Sequence, residues 1–202
     1  PVQENEEGQV VNRMGEAIAR QLDLDGLLDL AAQADPLGDE LQAEKKGRPH
    51  LCRIGIARDE AFSFYYPTSL QVLEQNGAEL VPFSPLHDDT LPDLDGMIVG
   101  GGFPEMFAGR LAENTSMRAA VRSMADCGMP IYAECGGYMY LLEELQDFAG
   151  KVWPMAGVFS GRAVMTKKLQ MVGYVEAELR QDTVLGSRGK QFHGHEFHFS
   201  AE

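Results

Sequence analysis

Past position 52 the apolar residues fall into short runs separated by longer amphipathic stretches. The runs at 53–57 (RIGIA), 79–83 (ELVPF), 96–100 (GMIVG) and 129–133 (MPIYA) have strand length and strand composition. Between them, 69–75 reads as a helix closed by Asn76-Gly77, and 114–127 as a helix closed by Gly128. Strands alternating with helices at this spacing predict an α/β fold: a flavodoxin-like, open, mostly parallel sheet with helices on both faces. After Gly150 the chain becomes strand-rich, with runs at 152–153, 162–165, 173–179 and 191–199. The first fifty positions follow another rule. Val10, Val11, Met14, Ile18 and Leu22 recur at helical spacing, and a second helix is predicted over 27–34, capped by Asp25 and ended by Asp35-Pro36. Residues 38–49 are polar and charged and read as a linker. Two short helices and a linker make no core of their own. Residues 1–50 are therefore expected to be the connector from a preceding domain, and 51–202 the main domain.

Charge narrows the function. Acidic residues outnumber basic ones by 31 to 17, a net −14, which argues against nucleic acid or an anionic membrane as a partner. No apolar run has membrane-spanning length and no signal peptide is visible, so a cytoplasmic location is expected. The chain begins with Pro1 rather than Met, which fits a processed or excised chain. Cys52, Cys127 and Cys135 are widely spaced, with no CxxC pair, so neither a disulfide framework nor a structural zinc site is expected. Cys52 and Cys127 read as buried packing residues.

Cys135 reads differently. It lies in Ala133-Glu134-Cys135-Gly136-Gly137, between an apolar run and the apolar stretch 138–142. A strand running into a helix through such a bend pushes the central side chain into the open, and the glycines keep neighbouring side chains away. Cys135 is the candidate nucleophile, able to attack an amide or ester carbonyl and form a thioester. The N–H of Gly136 and one from the Gly100-Gly101-Gly102 run are candidate oxyanion donors. The base is sought in Gly194-His195-Glu196-Phe197-His198. If this segment is extended, His193 and His195 share one face and His198 points the other way. Pattern alone leaves His195 and His198 both open. Glu134 reads equally as a turn partner or a reacting group. A metal site from His193, His195 and Glu196 is the weaker reading, because nothing elsewhere completes it, and no metal is expected. His87, beside Asp88 and Asp89, reads as a solvated loop residue. Three segments, 58–62, 100–105 and the cysteine bend, follow predicted strands and should converge on the carboxyl edge of the sheet.

These segments carry a resemblance. ARDEAFSFYYPTSLQVLEQNGAELVPFSPLHD (57–88), LPDLDGMIVGGGFPE (91–105), PIYAECGGYMYL (130–141), MAGVF (155–159) and GHEFHFS (194–200) are similar to the carboxy-terminal glutaminase domain of the cobyrinic acid a,c-diamide synthases, within the class I glutamine amidotransferases. The resemblance covers position 53 to the end, and residues 1–50 resemble the connector from that family's amino-terminal half. It implies hydrolysis of glutamine at Cys135, with the ammonia used to amidate the a and c carboxylates of a corrinoid ring in cobalamin biosynthesis. It also implies a partner, the amino-terminal synthase domain, which would bind ATP, Mg2+ and the corrinoid. No GxxxxGK[ST] phosphate loop occurs here, so that half is expected to be absent from this chain, which would itself need no cofactor. A homodimer is left open. Hydrogenobyrinate or a sirohydrochlorin-type ring would suit the same domain, and a cysteine hydrolase or peptidase on this fold, or a non-catalytic module, are the competing classes. Laid on the class I ending G-x-Q-F-H-P-E, the resemblance selects His198 as base over His195. It leaves Ser200 where a third-member glutamate is usual, with Glu134 and Glu196 as candidate orienters.

Overall fold

The computed structural model describes residues 2–35 and 50–202. They belong to two compact units, Pro1–Lys45 and Lys46–Glu202. In the first, helix α1 spans Val2–Gln21 and helix α2 spans Leu24–Ala32. The first helix begins well before the expected start at Val10. The second is capped by Asp23 rather than Asp25, with the Asp23 carboxylate accepting from the Gly26 N–H at 3.0 Å. The expected linker at 38–49 lies outside the described residues.

In the second unit, strands β1 (Cys52–Ala57), β3 (Ala78–Phe83), β4 (Gly96–Val99) and β6 (Ile131–Ala133) form one parallel sheet in the order β3-β1-β4-β6. All four predicted strands are therefore present, and strand order reverses between β1 and β4. Ligands bind at such a reversal, beyond the carboxyl ends of the strands. Helix α3 (Pro67–Gln75) follows strand β2 (Phe62–Phe64), with Pro67 in the first turn, where its missing N–H costs nothing. A 3-10 turn (Pro104–Met106) and helix α4 (Ala108–Glu113) lead to helix α5 (Thr115–Asp126). Asn114 caps α5 by accepting from the Met117 N–H at 3.2 Å, and Gly128 adopts φ 84° just past its end.

Helix α6 (Gly136–Leu141) is short and passes directly into strand β7 (Leu142–Gln146). With β8 (Val152–Pro154), β9 (Phe159–Met165) and β12 (Ser200–Ala201) it makes a second sheet, ordered β12-β9-β7-β8. Strands β10 (Met171–Glu178) and β11 (Gln191–His198) form a separate antiparallel ladder. The core joins these layers: Met97 and Val99 from β4, Met117 and Val121 from α5, Tyr140 and Leu141 from α6, and Leu142 and Leu145 from β7 are all buried. Phe62 packs on Tyr140 with ring centroids 5.4 Å apart.

Two further features depart from expectation. Gly101–Gly102 forms strand β5 and pairs antiparallel with β2, which was read as loop. Cys127, expected in the core, is exposed, because it is the C-cap of α5 rather than a residue of its buried face.

Candidate active site

Cys135 has φ 51° and ψ −114°, and among the described residues it is the one non-glycine residue with positive φ. A side chain is disfavoured there, at a cost on the order of 1–3 kcal/mol, so the surrounding structure must impose it. The imposing contacts are visible. The Glu134 N–H donates to Val99 O at 3.1 Å, the Gly137 N–H to Glu134 O at 2.8 Å and the Met139 N–H to Cys135 O at 3.2 Å. The chain thus leaves β6 still bonded to β4 and enters α6 within two residues. A Cβ on Gly137 would lie 2.0 Å from Val99 O, so the close approach requires glycine. The resulting side chain is exposed, as a nucleophile on such a bend must be.

The glycine run lies over it. A Cβ on Gly101 would stand 3.5 Å from the Cys135 Cβ, and one on Gly136 would stand 3.1 Å from Gly102 O. Gly101, Gly102 and Gly136 are therefore brought together around the cysteine. Gly102 is also pressed against the loop after β1, where an added Cβ would lie 2.0 Å from Ala61 O. Asp59 shapes that loop. One carboxylate oxygen accepts from the Ala61 and Phe62 N–H groups at 2.9 and 3.2 Å, the other from the Ser84 hydroxyl and the Leu86 N–H at 2.8 and 2.9 Å. His87 is an exposed loop residue, as read, and meets Glu60 (2.8 Å) and Arg110 (3.2 Å) on this edge. The Glu60 carboxyl sits below its usual range, first through a backbone hydrogen bond and then through His87.

The histidine segment is extended through β11, so His193 and His195 share a face and His198 has the opposite one. His193 and His195 are exposed, and His193 faces Glu176 across the ladder at 3.1 Å. His198 is half-buried, and its Nδ1 meets the main-chain oxygen of Ser200 at 2.8 Å. A carbonyl only accepts, so Nδ1 carries the proton and Nε2 of the neutral ring is left with its lone pair. The carbonyl is itself fixed: Ser200 pairs with Met165, and the Thr166 N–H takes Phe199 O at 3.0 Å. Glu134 is engaged elsewhere, by the Tyr132 hydroxyl. Glu196 is exposed on β11 opposite Gly173. Among the described residues no hydrogen bond joins the Cys135 sulfur to either ring. Reading the sequence missed the Ser200 carbonyl, because a main-chain acceptor has no residue signature.

An α/β sheet with a cysteine on the strand-to-helix bend, covered by a glycine loop, defines a protein of the class I glutamine amidotransferase type. The chain belongs to the family described as the CobB/CobQ-like glutamine amidotransferase domain, which it matches over residues 53–202. It is 51% identical over 163 residues to a cobyrinate a,c-diamide synthase of Caldanaerobacter subterraneus subsp. tengcongensis, covering 80% of this chain and 35% of that protein. It is 44% identical over 195 residues to a cobyrinate a,c-diamide synthase of Dehalococcoides mccartyi, covering 94% of this chain and 42% of that protein. The chain thus spans well under half the length of these relatives. A solved structure of PurLQS from Thermotoga maritima shares the fold, with a TM-score of 0.50 and 18% identity over 73% of this chain and 66% of that one. No described helix is long and apolar enough to cross a membrane.

Proposed function

We propose that this chain hydrolyses glutamine through a γ-glutamyl thioester on Cys135. The observation that carries the reading is the imposed positive φ of Cys135, which holds an exposed thiol beneath the glycine loop of an amidotransferase-family domain. The sulfur attacks the γ-carbonyl carbon, and negative charge develops on the carbonyl oxygen. The N–H of Gly136 and one from Gly101 or Gly102 receive it. His198 takes the thiol proton on Nε2 and returns it to the leaving nitrogen, which departs as ammonia. Water, deprotonated by the same ring, then attacks the thioester carbonyl; the C–S bond breaks, His198 returns the proton to the sulfur, and glutamate leaves. The sulfur and Nε2 would engage once glutamine is seated, since catalytic hydrogen bonds are often long in the free enzyme.

The ammonia is passed to a synthase portion of the kind that makes up the remaining length of the relatives. There it amidates the a and c carboxylates of a cobyrinate-type ring. That portion would bind ATP and Mg2+, which activate the carboxylates.

The test measures ammonia and glutamate released from free glutamine, with the synthase portion and its substrates present. His198→Ala is expected to lower kcat by about 100-fold or more, and His195→Ala by less than about 3-fold. Equal losses, or a larger loss at His195, would reverse the assignment of the base. Ser200→Ala is expected to leave kcat within about 2-fold, because the oxygen that meets His198 belongs to the main chain. A large loss there would show that the serine hydroxyl, not the carbonyl, orients the ring.

A further inference from the structure

Tyr65 belongs to the ARDEAFSFYY segment and has no part in the chemistry so far. It lies between β2 and α3 with its ring partly buried. Its hydroxyl donates to Ala57 O and accepts from the Gly100 N–H at 2.9 Å. Ala57 ends β1, and Gly100 follows β4. These strands run parallel, with Gly55 opposite Met97 and Ile56 opposite Ile98. Continued one step, that register would send the Gly100 N–H to Ala57 O directly. The tyrosine hydroxyl is inserted into this bond. It satisfies both main-chain groups while holding the two strands apart at the point where strand order reverses.

The consequence falls on the loop above the nucleophile. Parted from β1, the chain turns and pairs Gly101 and Gly102 with Phe64 and Phe62 of β2. That pairing sets Gly101 beside Cys135. Gly100 has no room for a side chain, since a Cβ would lie 2.7 Å from two ring carbons of Tyr65. Its N–H is also spent on the hydroxyl, which leaves Gly101 and Gly102 as the donors the run can offer an oxyanion. Burial raises the Tyr65 hydroxyl to about 12, so it keeps the proton that it donates at neutral pH.

The geometry points to Tyr65 as a positioning residue for the oxyanion loop: its hydroxyl replaces the last β1–β4 ladder bond and so places Gly101 and Gly102 over the thiol. The inference rests on the glutaminase reading. Its test is Tyr65→Phe, which keeps the ring and removes the wedge. Two rates are compared in protein that includes the synthase portion. One is glutamine hydrolysis. The other is alkylation of Cys135 by iodoacetamide, followed by peptide mapping. Alkylation displaces iodide at a saturated carbon and develops no oxyanion. Hydrolysis should fall about 10- to 100-fold in kcat with KM changed by less than about 3-fold. Alkylation should stay within about 2-fold, because the thiol and its bend are untouched. Unchanged hydrolysis, or equal falls in both rates, would overturn the role of Tyr65 while leaving the glutaminase reading intact. A wild-type chain that released no ammonia would remove the reading and the inference together.

Discussion

Cys135→Ser is expected to lower glutamine-driven amidation by about 10³-fold or more, while amidation driven by added ammonium salts proceeds at its usual rate. The substitution removes one atom type and almost no volume. Serine at this bend keeps the φ of 51°, the short helix and the glycine loop. What it lacks is nucleophilicity: a hydroxyl is far harder to deprotonate than a thiol, and a single imidazole held by a backbone carbonyl is a modest base. Added ammonia bypasses the thioester, so it separates a lost glutaminase from a damaged synthase. Steady-state assays with each nitrogen source make the comparison. Loss of both activities would mean that Cys135 supports the fold rather than the chemistry. Loss of neither would place the nucleophile elsewhere.

The second large effect is steric. Gly137→Ala is expected to destabilise the domain by about 3 kcal/mol or more and to abolish glutamine hydrolysis. The new Cβ would lie 2.0 Å from Val99 O and 2.6 Å from Val99 C. Both belong to the main chain of β4, which pairs on both sides with β1 and β6 and has no side-chain rotamer to give. Relief requires β6 and α6 to separate from β4, and that unwinds the bend that holds Cys135. For a unit of about 150 residues the loss corresponds to a Tm lowered by about 10 °C. Gly173→Ala is the control, because nothing lies within 4 Å of its Cβ position. Thermal melts of both variants check the contrast. A Gly137→Ala protein as stable and active as the parent would show that the close approach of β6 and β4 is not what sets the bend.

The four strands of the parallel sheet were legible because each is a compact run of strand length and strand composition, set between amphipathic stretches. The cysteine bend was legible for a related reason, since glycine follows where a sheet and a helix crowd together. Pattern failed where pairing is short or non-local. Strands β2 and β5 are three and two residues long, too short for any period to show. Strand β7 (LEELQ) has the composition of a helix, but Leu142 and Leu145 are drawn into the core and its edges are taken by β8 and β9. Tertiary pairing overrides propensity there. Asp23 displaced Asp25 as a cap because the true helix begins three residues earlier than its first apolar repeat suggested.

At the site, pattern left His195 and His198 equal, and the resemblance chose between them. The structure adds a physical distinction: one ring is exposed, while the other is half-buried and held in one tautomer by a carbonyl. The two contacts most informative about the chemistry, Ser200 O on His198 and the Tyr65 hydroxyl between β1 and β4, both involve main-chain groups. Residue identities carry no trace of such bonds until the fold sets their partners.

The most direct measurement is rapid acid quenching of the protein during turnover with glutamine, followed by peptide mapping. A γ-glutamyl adduct on the peptide that contains Cys135, formed and lost at rates matching ammonia release, is the predicted result. Ammonia release with that peptide unmodified throughout, or with the adduct on Cys52 or Cys127 instead, would contradict it.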